Sequence, residues 1–303
     1  MIEYTLLLLV GLARYAWAAE DHDEWSYEGT TGPDAWGLIE MSGNNQCAMK
    51  RQSPIDIEVI RTKYDKSLKP LALTGHDKIT PSILGVNNGH TVQLNSNEWT
   101  QKLSGGPLSG EYKLLQMHFH WGKDSYRGSE HTINGKRYPI ELHMVHIAAN
   151  VTDNTNFPGA IAVLGIFFNL SKGSSNMGIR KIAKLITGME ANTKINITDE
   201  LSPSMLLPSS RDFFTYEGSL TTPPCSEVVT WLVLREPLKI TEVELEAFRS
   251  TQLPDKKPLV DNFRPVQPLN NRVVRASFFT GSSSSLMPSL AVVVSSVLLF
   301  RLY

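Results

Sequence analysis

Four segments of the chain carry the hydrophobic patterning of β-strands. Residues 114–121, LLQMHFHW, alternate around a pair of histidines. Residues 140–148, IELHMVHIA, are rich in apolar and branched side chains. Residues 160–168, AIAVLGIFF, and 228–234, VVTWLVL, are almost continuously apolar, as strands covered on both faces are. Two stretches follow the helical period instead. Ile179, Ile182, Ala183 and Ile186 fall on one face of a helix over 177–187. A second helix is expected after Thr241, which with Glu244 forms a capping box. Seventeen prolines and 21 glycines are scattered between these segments, so short elements joined by many turns are expected. Within 19–280 there is no internal repeat, low-complexity block or evident linker. The pattern predicts one mostly β (α+β) domain with a few short helices.

The two ends differ from this middle. Residues 1–18, MIEYTLLLLVGLARYAWA, place a leucine run before Ala16-Trp17-Ala18, the small-x-small pattern of a signal peptide cut after Ala18. The C-terminal GSSSSLMPSLAVVVSSVLLFRLY runs from small residues through a polar spacer into an apolar tail that begins at Leu290. That tail is short for a bilayer span of about 20 residues. It fits a glycosylphosphatidylinositol (GPI) signal, with Gly281, Ser282 or Ser283 as the attachment residue and 282–303 removed. A single-span tail anchor is the alternative. The expected layout is a leader over 1–18, a domain over 19–281 and a discarded tail. The sequons at Asn150, Asn169 and Asn196 accord with a secretory route.

A net charge of −1 offers no basis for a nucleic-acid partner. The two cysteines, Cys47 and Cys225, read as one disulfide in an oxidising compartment; two buried free thiols are the alternative.

The candidate chemistry lies in the histidines. Along a strand, side chains at i and i+2 share a face, so His118 and His120 project together, with Gln116 beside them. Met117, Phe119 and Trp121 then face the core. On a helix the two imidazoles would diverge by about 200°. In IELHMVH, His143 shares a face with Glu141 and Val145, and His146 points the other way. Three neutral imidazoles with one open position make a catalytic zinc site. Gln116 and Glu141, each two residues before a histidine, suit the accepting of ring N–H groups that fixes tautomer and orientation. There is no HExxH motif, so a metalloprotease of that type has no support.

From about Trp25 to Phe278 the chain resembles an α-class carbonic anhydrase. The matching motifs are QSPIDI (52–57), NNGHTVQL (87–94), QMHFHWG (116–122), GSEHTINGKRYPIELHMVH (128–146), AVLGIFF (162–168), YEGSLTTPPCSEVVTW (216–231) and DNFRPVQPLNNR (261–272). The leader, the tail and the cysteine pair are similar to the membrane-anchored carbonic anhydrases IV and XV.

The resemblance implies a large twisted, mostly antiparallel sheet ringed by short helices, and an enzyme that hydrates carbon dioxide to bicarbonate. It implies His118, His120 and His143 as ligands of one Zn2+, and Thr221 as the acceptor of a hydrogen bond from zinc-bound hydroxide. Glu130 then takes the Thr221 hydroxyl proton, and His90 is the proton shuttle. Tyr27, Asn88 and Gln93 match positions that hold ordered waters between zinc and shuttle. Val145, Val163, Leu220 and Trp231 match the apolar carbon dioxide pocket, and Thr222 lines the bicarbonate site. His131 and His146 match no catalytic position and read as structural; His22 and His76 read as surface residues.

Two departures stand out. Gln93 replaces a common asparagine, and Phe263 a common tryptophan. Cys225 directly follows the Thr-Thr-Pro-Pro loop, so the disulfide would clamp that loop to the N-terminal segment, and its reduction is expected to lower activity as well as stability. Sulfonamide-type and small-anion inhibitors are implied, and a bicarbonate or proton transporter is a partner by function only. A non-catalytic recognition or adhesion domain is the alternative reading, and ester hydrolysis a side activity.

Overall fold

The computed structural model describes residues 25–41, 44–151, 155–197 and 200–280. The leader, His22 and the candidate anchor residues Gly281, Ser282 and Ser283 lie outside the described residues.

The fold is mostly β, with two short α-helices among the described residues. In chain order the strands are β1 (Asp56–Ile57), β2 (Lys63–Tyr64), β3 (Lys69–Thr74), β4 (Ile83–Asn87), β5 (Val92–Asn95), β6 (Lys102–Gly106), β7 (Tyr112–Trp121), β8 (Thr132–Ile133), β9 (Ile140–Ala148) and β10 (Ile161–Leu170). They continue with β11 (Thr193–Ile197), β12 (Phe213–Gly218), β13 (Val229–Leu234), β14 (Leu238–Ile240) and β15 (Arg275–Ala276). The helices are α1 (Met177–Ile186) and α2 (Glu242–Arg249).

Among the described residues thirteen strands form one sheet: ten along the path β11-β4-β5-β7-β9-β10-β13-β12-β15-β2, with β14 paired to β10, β6 to β7 and β3 to β6. Most neighbours are antiparallel; β10 runs parallel to β13 and β14, and β15 parallel to β2. The four patterned segments are β7, β9, β10 and β13, and they lie side by side in the middle of the sheet. Central strands are covered on both faces, which is why β10 and β13 are almost continuously apolar.

The two faces have separate cores. Met117, Phe119, Trp121, Leu142 and Met144 pack with the inner faces of α1 and α2. Val145, Val163, Phe167, Tyr216 and Trp231 pack on the other side, together with Ile55 and Ile57. Each fully buried aliphatic or aromatic side chain is worth roughly 1.5–3 kcal/mol. Both helices start as the sequence implies. Asn176 caps α1 by accepting the Ile179 N–H at 3.1 Å, and Thr241 and Glu244 close the capping box of α2. Arg249, at the end of α2, donates to the Gly122 carbonyl at 3.0 Å and so ties the helix to the end of β7.

One expectation fails. His76 is not a surface residue: it is 1% exposed, and its Nε2 lies 3.3 Å from Nε2 of His146, which is fully buried. The residue sits in a turn, where a polar side chain is normally solvated. The turn instead tucks under β9, on the face that His146 occupies because of its odd offset from His143.

Candidate active site

β7 and β9 build the centre of the site. His118 and His143 are directly opposite in register, and His120 follows two residues along β7. A β-bulge between Leu114 and Gln116 precedes the pair and re-aims the strand. His143 Nδ1 lies 3.2 Å from His118 Nε2 and 3.1 Å from His120 Nε2. These contacts are not hydrogen bonds, because each ring already spends its proton elsewhere. His118 Nδ1 donates to Gln116 Oε1 at 2.8 Å, His120 Nδ1 to the Asn262 carbonyl at 2.7 Å, and His143 Nε2 to Glu141 Oε1 at 2.8 Å. Three lone pairs are therefore aimed at one point. Burial, and then the neighbouring imidazoles, hold His118 well below its ordinary pKa and push His120 down to about 3. Burial likewise lowers His143. All three are neutral, as metal ligands must be.

This arrangement fits zinc. Nitrogen ligands at 2.0–2.1 Å in a tetrahedron stand about 3.3 Å apart. The observed separations are close to that, and three converging lone pairs repel one another unless a cation sits between them. Among the described residues two groups have donor atoms close enough to share an ion, His118 with His120 and His143, and His131 with Glu141 and His143; in the second the atoms are already joined by the hydrogen bonds of Glu141 to His131 and His143.

Beside the cage lies Glu130, fully buried, with Oε2 3.4 Å from His120 Nε2 and 3.8 Å from His143 Nδ1. Oε1 accepts the Arg264 N–H at 2.8 Å. The Thr221 hydroxyl is a hydrogen-bonding neighbour that favours the ionised carboxylate. That contact is loose, since Oε2 has no partner of normal hydrogen-bond geometry among the described residues. Burial, with the nearby Glu141 charge, pushes the Glu130 carboxyl well above its ordinary range. A cation held by the adjacent histidines would draw it back toward the ionised form.

The comparisons agree with this geometry. The eukaryotic-type carbonic anhydrase family matches residues 31–278. Carbonic anhydrase 7 of Mus musculus is 42% identical over 268 residues, covering 85% of this chain and 98% of its own length. The Homo sapiens carbonic anhydrase 7 is 41% identical over the same extent. The chain belongs to the eukaryotic-type carbonic anhydrase family.

Four of the other residues expected of a carbonic anhydrase pack together beside the cage. Val145, Val163 and Trp231 are cross-strand neighbours on β9, β10 and β13, and Leu220 packs against them. The Trp231 ring lies 4.8 Å from that of His143. This makes an apolar wall immediately beside the ligand set. Thr221 is buried in the loop after β12, and Thr222 is half-buried there. Gln93 is in register with His118, and its Nε2 donates to Asn95 Oδ1 at 2.7 Å. Tyr27 stacks edge-on against Trp25 and Trp36, and feels the charge of Glu130. Asn88 turns its Oδ1 back to the N–H groups of His90 and Thr91, which fixes the loop that carries His90. The His90 ring is stacked on Trp25. Burial pushes its pKa down to about 4.

Several supports were not singled out from the sequence. Asn262 donates to the carbonyls of His90 and Phe119, accepts the Trp121 N–H, and offers its own carbonyl to His120. One residue thus orients a ligand and holds the His90 loop. Glu141 accepts the Glu130 and His131 backbone N–H groups on Oε2, and His131 Nδ1 at 2.7 Å on Oε1. His131 then reaches the Tyr216 hydroxyl, which donates to Ser53 Oγ. His131 is structural, as expected, but through the orienter of a ligand.

Cys47 and Cys225 are bonded. The clamp they form has a second, non-covalent half. Glu227 accepts the Arg51 N–H and the Arg51 Nε and Gln52 Nε2 groups, and its own N–H donates to Gln46. Arg264 completes it, donating to Gln52, Ser53 and the Cys47 carbonyl. These partners are far apart in sequence, and only the SEVV and NFRP segments of the family motifs hint at them.

Proposed function

We propose that this carbonic anhydrase is a zinc enzyme of the outer cell surface that interconverts carbon dioxide with bicarbonate and a proton. The observation that carries this is the convergence of three neutral imidazoles whose protons all point outward to Gln116, Glu141 and Asn262. His118, His120 and His143 hold the metal. Bound zinc would supply a water whose pKa is lowered to about 7, a property for which carbonic anhydrases are the standard example.

The chain's own residues do the rest. Glu130 accepts a hydrogen bond from the Thr221 hydroxyl, which leaves the Thr221 Oγ1 lone pairs free to accept a hydrogen bond from the cleft, so the nucleophile's lone pair is aimed. Val145, Val163, Leu220 and Trp231 receive carbon dioxide, an uncharged apolar molecule that a polar wall would not favour over water. Thr222 borders the place bicarbonate leaves from. His90 carries a proton between cleft and solvent, with Tyr27, Asn88 and Gln93 lining its way. Sulfonamide-type and small-anion inhibitors compete for the same open position.

The surface location is supported by the disulfide, which uses both cysteines of the chain, and by the leader and tail patterns. The sequence similarity to the anchored subgroup points the same way, with GPI attachment at Gly281, Ser282 or Ser283.

The test is stopped-flow hydration by the 19–280 segment and its His118→Ala variant, with zinc analysis. One zinc per chain with rapid hydration, both lost in the variant, is expected. A folded, disulfide-bonded protein with neither would overturn the enzyme reading. For location, phosphatidylinositol-specific phospholipase C is expected to release the full chain from cells; retention would overturn the GPI assignment.

A further inference from the structure

The three sequon asparagines are all exposed, but their surroundings differ. Asn169 lies on β10 opposite Lys239 of β14, and Asn196 on β11 at the edge of the sheet. Asn150, just past β9, is part of the wall of a cavity of about 230 Å³. The cavity lies on the face of the sheet away from the histidine cage: Trp231 and its alternate neighbours on β13 face the cage, and Thr230 faces the cavity.

We propose that this cavity receives the first N-acetylglucosamine of a glycan attached to Asn150. The inference rests on the secretory route proposed above. The cavity is smaller than the 300–1,000 Å³ of drug-sized pockets and of the order of one sugar ring. Its wall has two chemistries. Phe157, 40% exposed, and Pro158 give an apolar side on which the C–H face of a pyranose can lie. Glu217 gives the other side. Its carboxylate meets Thr230 Oγ1 only at 3.4–3.5 Å, and Arg275 and Arg51 act on it through their charge, without a close ion pair among the described residues. The side chain is exposed, and its oxygens keep acceptor capacity that sugar hydroxyl and acetamide N–H donors would take over from water. Tyr112 is already committed, donating to the Gly159 carbonyl at 2.6 Å, and closes the floor.

The tether matters as much as the wall. A free monosaccharide would bind such a shallow site weakly. A sugar bonded to a wall residue is present at an effective concentration of order millimolar or more. In the transfer, Asn150 Nδ2 forms a bond to the anomeric carbon of a lipid-diphosphate-linked oligosaccharide. The bond from that carbon to the diphosphate oxygen breaks, the lipid diphosphate leaves, and one amide proton is released. The sequon is read in the unfolded chain, so the sugar is in place when the cavity forms around it.

The experiment uses the full chain passed through the secretory route of animal cells, then trimmed enzymatically to one N-acetylglucosamine per site. Glycopeptide mass spectrometry is expected to find Asn150 occupied. Asn150→Gln is expected to lower Tm by about 2–4 °C, the scale of one modest interaction in a domain this size, whereas Asn169→Gln and Asn196→Gln leave it unchanged. Phe157→Ala is expected to lower Tm in the glycosylated protein and not in the Asn150→Gln background. On the unsubstituted protein, the acetamide methyl proton of the Asn150 sugar is expected upfield of those on the other two sites, shifted by the Phe157 ring. Sugar on Asn169 and Asn196 but not Asn150 would overturn this inference and leave the secretory reading standing. No sugar at any site would overturn both. An occupied Asn150 with additive Tm effects and an unshifted methyl would overturn the cavity's role.

Discussion

The imidazole of His90 lies flat on the indole of Trp25, with ring centroids 3.9 Å apart and planes 14° from parallel. The stack buries the ring, and burial is what pushes His90 down to about 4. An imidazole that acidic accepts a proton poorly at neutral pH. Trp25→Ala is expected to return His90 toward its ordinary range and to raise kcat at pH 7 in weak buffer, with kcat/KM unchanged. His90→Ala is expected to lower kcat by about ten-fold or more, restored by added imidazole. If Trp25→Ala left the pH profile of kcat where it was, the stack would not govern proton transfer.

Glu141 accepts four hydrogen bonds, including the one that orients His143. Glu141→Gln would put an amide N–H against donors and disturb the tautomer of His143. Zinc affinity is expected to fall by about 10–100-fold, measured by competition with a chromophoric chelator. Wild-type affinity in the variant would show that His143 needs no orienter.

The loop that carries Thr221 is fastened twice, by Cys47–Cys225 and by Glu227. The disulfide spans 178 residues, for which the chain-entropy estimate is roughly 5 kcal/mol of stability. Cys47→Ser/Cys225→Ser is expected to lower Tm strongly and kcat/KM only mildly at 25 °C, because Glu227 still holds the loop. Glu227→Ala added to it is expected to cost more activity than the two changes cost separately. Strict additivity in that cycle would mean that the fasteners act independently.

His76 and His146 face each other inside the protein. Burial pushes His76 down to about 4 and His146 down to about 3, from an ordinary 6.5. Both are neutral in the native state, while the unfolded chain binds protons below about 6.5. Their contribution to stability is therefore complete above pH 6.5 and is lost as pH falls from there toward 4 and 3. Unfolding midpoints followed from pH 7 to pH 4 are expected to drop more steeply in the wild type than in His146→Gln. Parallel curves would remove the pair from the acid response.

Much of the site could be read from the chain because it depends on local periodicity. Alternation along 114–121 puts His118 and His120 on one side, and the same rule separates His143 from His146. Gln116 and Glu141 were legible for the same reason: an orienter two residues away shares its ligand's face. The third orienter was not, because it is the main-chain carbonyl of Asn262, 142 residues from His120, and a carbonyl leaves no mark on residue type. His76 was misread because a turn histidine looks solvated until β9 is known to lie over it. The Glu227 clamp joins segments more than 170 residues apart, a relation set by the closure of the sheet and by no local pattern.

Asn262 grips the His90 loop with one end of its side chain and β7 with the other, while its own carbonyl holds His120. The origin and the exit proposed for the travelling proton are thus mounted on a single bracket. A displacement of Asn262 would therefore carry the His90 loop and His120 together, and the span between them would keep its length.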